Sequence, residues 1–290
     1  MHVQIIQVPY DSGHRALRMG AGPEHFIKSG ISRLFQDKGF KVQVEAIQIE
    51  TAFRTEITTA VELCSALASR VTDAQLRQSF PLVLSGNCNS ALGTLAGLDQ
   101  PNLGMIWLDA HGDFNTPETT ESGYFDGMGM AIAAGLCWKK LATNIPRFSP
   151  VAASDIIHVG GRDFDLDEEE LMQDAGIRVV RASEIKRTSV QDALLPALTA
   201  LSHRTKKIYL HIDLDILDPE KTPANQYAAR VPNGLTVEEV EGTITTIAER
   251  FEISAAAIAS YDPAYDREGE TLRAGVRIID QILSTLSNDL

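Results

Sequence analysis

Two segments of the chain carry polar residues at alternate positions directly after an apolar run. The segment WLDAHGDFNTP contains Asp109, His111 and Asp113. The segment YLHIDLDILDP contains Asp213 and Asp215. Alternate side chains of an extended strand end lie on one face, and carboxylates and imidazole there are ligands for divalent metals. The alternative is an ordinary polar strand end, but two such segments together predict a cluster of two metal ions with bridging carboxylates.

The elements that must position these residues follow from the hydrophobic pattern. Eight short apolar segments alternate with longer amphipathic ones. The predicted strands are HVQIIQV, KVQVEAIQI, PLVLSG, LGMIWLDAH, DIIHVGG, IRVVRA, KIYLHIDLD and AAAIASYDP. Such an alternation is typical of a parallel sheet covered by helices on both faces. We therefore expect one α/β domain over residues 1–290, with three αβα layers and an eight-stranded, mainly parallel sheet.

Three helices can be placed from local signals. GPEHFIKSGISRLFQ begins with Gly-Pro, which suits a first helical turn, and is predicted to form one helix. TVEEVEGTITTIAERF begins with Thr236 and has Glu239 three residues later, the pattern of a capping box. ETLRAGVRIIDQILSTL is predicted to form the last helix. In open α/β sheets ligands bind beyond the carboxyl ends of the strands, and the polar segments SGNCNS, DAHGDFN, GGRDFD, DLDILDP and SYDPAYD all follow predicted strands.

Composition excludes several classes of protein. Acidic residues outnumber basic ones, 39 to 26, which disfavours nucleic acid as a partner. No apolar run approaches the roughly 20 residues of a membrane helix, and the N-terminus resembles a strand rather than a signal peptide, so we expect a cytoplasmic protein that does not bind membranes. The three cysteines do not indicate a disulfide framework, and we expect Cys64 and Cys137 to be small core residues.

The segments DAHGDFNTP and HIDLDILDP resemble the two most diagnostic motifs of the ureohydrolase family, which contains arginases and agmatinases. The similarity extends over nearly the whole chain, through VPYDSGHRALRMGAGPEHFIKSGI, GGRDFD and YDPAYD. It implies an arginase-like fold in which two Mn²⁺ ions per chain activate a water that hydrolyses a guanidine-like substrate. By this resemblance the metal ligands are Asp109, His111, Asp113, Asp213 and Asp215, with Asp213 bridging both ions and Asp113 also catalytic.

One departure from the family pattern concerns a metal ligand. Arginases carry Gly-Gly-Asp-His after the third strand, and the His binds one metal. Here the segment is Ser85-Gly86-Asn87-Cys88, and the spacing to Gly93 places Cys88 at the His position. A thiolate can bind a divalent metal, where it adds negative charge and favours softer ions. The alternative is that Cys88 is a small buried residue and one ligand is lost.

Two further departures concern the chemistry. Asp126 stands where arginases have a His that is commonly taken as a proton shuttle. An Asp with an ordinary pKa near 3.9 is a poor acid at neutral pH, so the shuttle is absent or altered. Ser260 stands where arginases place a Glu against the substrate guanidinium, so a buried cationic guanidinium would lack its carboxylate partner.

Other substrate positions match the family. Asn115 and Ser122 correspond to residues that hold an α-carboxylate, although Tyr124 replaces an Asn beside them. Asp165 and Glu168 correspond to acidic residues near the α-amino group. Retention of both ends favours a small α-amino acid as the substrate, and the alternative is that these are ordinary polar loop residues.

The three departures together resemble a branch of the family that has a Cys ligand and hydrolyses Nω-hydroxy-L-arginine to L-ornithine and hydroxyurea in D-cycloserine biosynthesis. An N-hydroxyguanidine is less basic than a guanidine and is easier to attack in its neutral form. Three alternatives stay open: another ureohydrolase activity, such as that of an arginase, an agmatinase or a formiminoglutamase; a non-catalytic metal-binding relative; and an interaction protein that uses the fold as a scaffold. We favour a monomer over a homo-oligomer.

Overall fold

The computed structural model describes residues 1–227 and 231–287. All eight predicted strands are present, and they belong to one sheet. The strands are β1 His2–Val8, β2 Lys41–Ala46, β3 Ser79–Ser85, β4 Gly104–Leu108, β5 Ile156–Val159, β6 Arg178–Val180, β7 Lys207–Asp213 and β8 Glu252–Ala259.

The sheet is parallel throughout, with the strand order β2-β1-β3-β8-β7-β4-β5-β6. The strands β3, β8, β7 and β4 are therefore neighbours at its centre, and their carboxyl ends lie together. A separate two-residue antiparallel ladder, Tyr10–Asp11 with His14–Arg15, follows β1 and was not expected from the sequence. The apolar pattern of its residues is too short to indicate a strand.

Eleven α-helices lie in the described ranges. They are α1 Gly22–Lys28, α2 Ile31–Asp37, α3 Glu56–Leu76, α4 Ala91–Leu98, α5 Gly129–Ala133, α6 Lys139–Ala142, α7 Leu166–Ala175, α8 Ala182–Arg187, α9 Val190–Ser202, α10 Val237–Ala248 and α11 Glu270–Ser287.

The two faces of the sheet pack into separate hydrophobic cores. In β1, Val3 and Ile5 enter one core, whereas Ile6 and Val8 enter the other, because side chains alternate along a strand. Helices α1, α2 and α8 to α11 cover the first core, and α3 to α7 cover the second. This arrangement confirms the predicted three-layer α/β fold.

The prediction of a single helix over residues 22–36 is wrong, because the structure has two helices there. Gly30 has a left-handed backbone, with φ of 92°, and divides the segment into α1 and α2. Glycine adopts this conformation without the steric cost that other residues incur, so it ends one helix and redirects the chain into the next.

Other local predictions are confirmed. The side chain of Thr236 accepts from the backbone N–H of Glu239, and the Glu239 carboxylate accepts from the N–H of Thr236, which completes the predicted capping box of α10. Cys64 and Cys137 are buried free thiols in the second core. Within residues 1–227 and 231–287, no helix is long and apolar enough to cross a membrane.

The capping box gives a direct test of helix stability. Thr236→Ala should lower the free energy of unfolding by about 1 kcal/mol, because the backbone N–H of Glu239 loses its acceptor. Thr236→Ser keeps the hydroxyl and should change it by less than about 0.5 kcal/mol. Chemical denaturation of the metal-loaded protein measures both values, and equal losses for the two variants would contradict the capping role.

Candidate active site

The loop after β3 places Cys88 at the centre of the sheet edge. The Ser85 hydroxyl accepts from the Asn87 N–H at 3.2 Å and donates to the Asn87 carbonyl at 2.9 Å, which closes a tight turn. Gly86 fits here because a Cβ at that position would lie 2.2 Å from the Tyr10 carbonyl oxygen. The chain then enters α4 through Cys88, whose side chain is buried.

The alternation of polar residues predicted an extended strand end after β4, but the structure has a turn there. The strand ends at Leu108, and the chain then turns so that the His111 N–H donates to Asp109 Oδ1 at 2.7 Å. The Trp107 indole N–H donates to the other oxygen, Oδ2, at 3.0 Å. Asp113 has a left-handed backbone with φ of 47°. Turns, rather than strand alternation, therefore bring the three polar side chains of this segment together.

The end of β7 carries the second pair of carboxylates. Asp213 Oδ1 accepts from the Asp215 N–H at 2.8 Å, so the first carboxylate orients the backbone that carries the second. The partly buried guanidinium of Arg162 donates to the carbonyls of Asp215, Ile216 and Leu217 at 2.7–3.2 Å. This arginine lies in the GGRDFD segment, and the sequence had not indicated that it would fix the β7 turn.

These segments converge into two overlapping groups of potential metal ligands. Cys88, Asp109 and Asp113 form one group, and Asp109, His111 and Asp215 form the other, with the ligand atoms of each group within 4.8 Å of one another. Asp109 is common to both. Asp213, which was predicted to bridge two ions, lies next to the first group and accepts from the Cys88 thiol at 3.0 Å.

The electrostatics of this cluster fit bound cations. Burial, together with neighbouring carboxylates, raises the pKa of Asp109 to about 6 and the pKa values of Asp113 and Asp213 well above the ordinary range. Burial also raises the pKa of the Cys88 thiol. Like-charged groups this close cannot all ionise without a compensating charge, and two divalent cations supply it. The donor set of carboxylates, imidazole and thiol is therefore chemically suited to two divalent metal ions.

His111 and Asp215 behave as a pair within this cluster. Burial lowers the pKa of the His111 imidazole, but Asp215 and Asp109 outweigh that effect and the pKa is raised. The His111 Nδ1 atom lies 3.2 Å from Asp215 Oδ2. His158 Nε2 lies 2.6 Å from the His111 carbonyl oxygen, so the buried His158 imidazole fixes the backbone of His111.

Asp126 holds the cysteine loop. Its Oδ2 accepts from the Asn87 amide at 2.7 Å and from the Cys88 N–H at 3.1 Å, and its Oδ1 accepts from the Asn89 N–H at 2.8 Å. Burial raises the pKa of Asp126 to about 7, although these three donors oppose the shift. The residue predicted at the shuttle position thus orients the backbone that carries Cys88.

A cavity of about 680 Å³ opens above the ligand groups. It is lined by all five residues predicted to contact the substrate: Asn115, Ser122, Asp165, Glu168 and Ser260. Tyr124, Asn225 and Tyr227 also line it. The sequence does not predict the last two, because the loop that carries them has no metal-ligand spacing or other recognisable motif.

The predicted amino-group side of the cavity is tied to the start of α7. Asp165 and Glu168 form a capping box there, and Glu168 Oε1 also accepts from the Phe114 N–H at 2.8 Å. Burial raises the pKa of Glu168 to about 7. The Asn115 amide donates to Asp165 Oδ2 at 2.9 Å, so the residues predicted for opposite ends of the substrate are joined by a hydrogen bond.

Ser260 follows the end of β8 with a left-handed backbone, φ of 64°, which is uncommon for a residue other than glycine. Its hydroxyl lies 3.4 Å from the Cys88 sulfur, and its carbonyl accepts from the Asn225 amide at 2.8 Å. The next carboxylate along the chain, Asp262, accepts from the Ala264 N–H at 2.9 Å. A short hydroxyl, rather than a carboxylate, therefore faces the cluster from β8.

Comparison with known proteins agrees with this geometry. A profile described as "Arginase family" matches residues 1–284. The chain belongs to the arginase family. The arginase of Brevibacillus brevis is 31% identical over 292 residues, with 97% of each chain covered. The crystal structure of the Bacillus cereus arginase superposes with a TM-score of 0.88 at 30% identity, covering 97% of this chain and 98% of the other.

More distant structures share the arginase fold alone. The formimidoylglutamase of Bacillus subtilis superposes with a TM-score of 0.77 at 17% identity, covering 98% of this chain and 87% of the other. The predicted ureohydrolase resemblance is thus confirmed at the level of the family, in which binuclear metal centres are the rule. The narrower assignment to the branch with a cysteine ligand stays a prediction.

Replacing the thiol tests its place in the metal centre. Cys88→Ser should lower the occupancy of one of two metal positions and leave the other nearly filled, because only one of the two ligand groups contains the sulfur. Cys137→Ser is the matched control, since that buried thiol does not line the cavity. Elemental analysis after dialysis measures the metal content, and full occupancy in Cys88→Ser would remove the thiol from the ligand set.

Metal affinity should rise with pH through about pH 6. Burial, and secondarily Asp215, raises the pKa of Asp109 to about 6, and a carboxyl must lose its proton before it coordinates a cation. Protons on Asp109 therefore compete with the metal below that pH, and protons on Asp113, Asp213 and His111, whose pKa values are also raised, extend the competition above it. Calorimetric titration with Mn²⁺ from about pH 5 to about pH 8 checks this, and an affinity independent of pH would contradict the raised pKa.

Proposed function

We propose that this protein is a binuclear-metal hydrolase of a guanidino-type α-amino acid, and that it converts Nω-hydroxy-L-arginine to L-ornithine and hydroxyurea. Membership of the arginase family supports the metal-dependent amidinohydrolase class. The observation that carries the narrower assignment is the contact between the Cys88 sulfur and the Ser260 hydroxyl at 3.4 Å. At this point of the site a thiol and a hydroxyl stand where the family pattern has an imidazole and a carboxylate.

The residues that would hold the metal ions are the two ligand groups and Asp213. When bound, the ions would lower the pKa of a coordinated water and so supply a nucleophile near neutral pH. Mn²⁺ is the ion proposed on the basis of the family. The thiolate of Cys88 would add negative charge to one position, which makes that ion a weaker Lewis acid than one held by a neutral imidazole.

Substrate charge supports the N-hydroxyguanidine. The guanidinium of L-arginine is cationic at neutral pH, and burying it without an anionic partner costs several kcal/mol, on the order of a broken buried ion pair. The β8 side of the cavity offers Ser260 rather than a carboxylate, and Asp262 is engaged by the Ala264 N–H. An N-hydroxyguanidine is less basic and avoids most of this cost by entering in its neutral form.

The chain's own acids would manage the remaining charges. The α-amino group would lie beside Asp165 and Glu168, where a carboxylate stabilises an ammonium ion. Asp126, with its pKa raised to about 7, would be able to hold a proton near neutral pH while its contacts keep the Cys88 backbone in place. Asp113 lines the cavity within the first ligand group and is the second acid proposed to act in the reaction.

Substrate preference is the direct test. We expect kcat/KM for Nω-hydroxy-L-arginine to exceed that for L-arginine by at least about 100-fold, equivalent to about 2.7 kcal/mol, because only the latter must bury a cation against the β8 side, where Ser260 offers no carboxylate. Steady-state kinetics with both compounds in Mn²⁺ measures the ratio. Comparable turnover would instead favour ordinary arginase activity, which is the activity named for the relatives from Brevibacillus brevis and Bacillus caldovelox.

Paired substitutions at Ser260 separate charge from size. Ser260→Glu should narrow the preference by raising activity on L-arginine, since it supplies the missing carboxylate. Ser260→Gln has nearly the same shape without the charge and should not raise activity on L-arginine. If Ser260→Gln and Ser260→Glu change kcat/KM for the two substrates in the same way, the residue at this position does not set specificity through its charge.

A further inference from the structure

The cavity above the ligand groups is rich in carboxyl groups, except on its β8 side, where Ser260 lines it. Eight of its lining residues carry a carboxyl group, and none of the described lining residues is Lys or Arg. The eight are Asp113, Glu121, Asp126, Asp163, Asp165, Glu168, Asp213 and Asp215. Bound metal ions would offset the charge of the deeper groups, but an α-carboxylate extends outward, away from the metals. The neutral donors Asn115 and Ser122 can orient that carboxylate, yet they do not neutralise its charge.

A second cavity, of about 620 Å³, adjoins the first on the outer side. The two share Tyr124 and Tyr227, whose rings stack with centroids 5.4 Å apart. Arg18 lines this outer cavity, and the next residue, Met19, lines the inner one. The guanidinium therefore stands at the boundary between the acidic cavity and solvent, beside the stacked tyrosines.

Arg18 has an ion pair with a buried carboxylate and an unusual backbone conformation. Its Nε atom lies 2.8 Å from Asp11 Oδ2, and Asp11 is almost completely buried, whereas the arginine side chain is 49% exposed. Its backbone has φ of 45°, a left-handed conformation that favours glycine and costs an arginine of the order of 1–3 kcal/mol. Backbone strain of this kind clusters at ligand-binding sites, and here it occurs at a cation whose side chain is half exposed to solvent.

A short chain of contacts connects this cation to the metal ligands. The Ser12 N–H donates to Asn87 Oδ1 at 2.8 Å, and the Asn87 amide donates to the Tyr124 hydroxyl at 3.3 Å. Asn87 immediately precedes Cys88. The loop that carries Arg18 is thus hydrogen-bonded, through one residue, to the loop that carries the thiol.

We propose that Arg18 is a specificity residue that binds the α-carboxylate of the amino-acid substrate at the boundary of the two cavities, with Tyr124 and Tyr227 as its walls. This inference rests on the proposed function only in taking the substrate to be an α-amino acid. The ion pair with Asp11 orients the guanidinium from its buried side, and the Arg18 side chain stays 49% exposed and open to a second anion.

A pair of substrates that differ only in the carboxylate tests this role. Arg18→Gln should raise KM for Nω-hydroxy-L-arginine by about 10-fold or more, the size of one lost charge-assisted hydrogen bond, with kcat within about 2-fold. With the decarboxylated analogue N-hydroxyagmatine, KM should change by less than about 2-fold. Arg18→Lys keeps the charge and should restore part of the affinity. Equal loss on both substrates would show a merely structural role and overturn the proposal.

A binding measurement keeps the inference separate from the choice of reaction. Calorimetry on the Mn²⁺-loaded protein compares L-ornithine with putrescine, which lacks the carboxylate. The unmodified protein should bind L-ornithine more tightly by about 10-fold, and Arg18→Gln should abolish that difference. Absence of hydroxyarginine turnover with this binding pattern intact would refute the proposed reaction alone. Equal binding of the two amines by the unmodified protein would refute the carboxylate subsite.

Discussion

The structure depends on the burial of several carboxylates and one thiol at a single edge of the sheet. Two pairs of acids lie at the ends of the neighbouring central strands β4 and β7: Asp109 with Asp113, and Asp213 with Asp215. Cys88 faces them from the loop after β3, which is separated from β7 by one strand, β8. Buried acidic groups repel one another when they are ionised, and each therefore raises the pKa of its neighbours. The fold tolerates this because three contacts fix these groups separately. Trp107 donates to the Asp109 carboxylate, Arg162 donates to the Asp215 carbonyl, and Asp126 accepts from the Cys88 N–H.

This division of labour explains several residues that hold no ligand position. Arg162 satisfies three carbonyls after β7 and leaves the Asp215 carboxylate to face His111. Asp126, which the sequence predicts at the shuttle position, uses both oxygens to hold the thiol loop. Each of these two side chains hydrogen-bonds to the backbone and so fixes the geometry of the site without binding a metal itself.

The sheet could be predicted from sequence because its strands follow a hydrophobic pattern, and the candidate ligand groups could be predicted although turns, and not strand alternation, bring them together. Buried parallel strands are continuous apolar runs, and acids after two such runs are unusual enough to indicate a metal. The break at Gly30 and the turn at Asp113 were missed because a left-handed residue leaves no mark in hydrophobic periodicity. Asn225 and Tyr227 were missed because they reach the cavity from a loop whose path depends on tertiary contacts, among them the bond from the Asn225 amide to the Ser260 carbonyl.

The backbone at Ser260 also bears on how such a site changes over time. Its left-handed conformation is braced by Asn225 and packed against the Cys88 sulfur, so a longer side chain there must accept an unusual backbone and displace a thiol in the same step. A larger, charged residue at this position therefore changes the packing against Cys88 as well as the charge of the site.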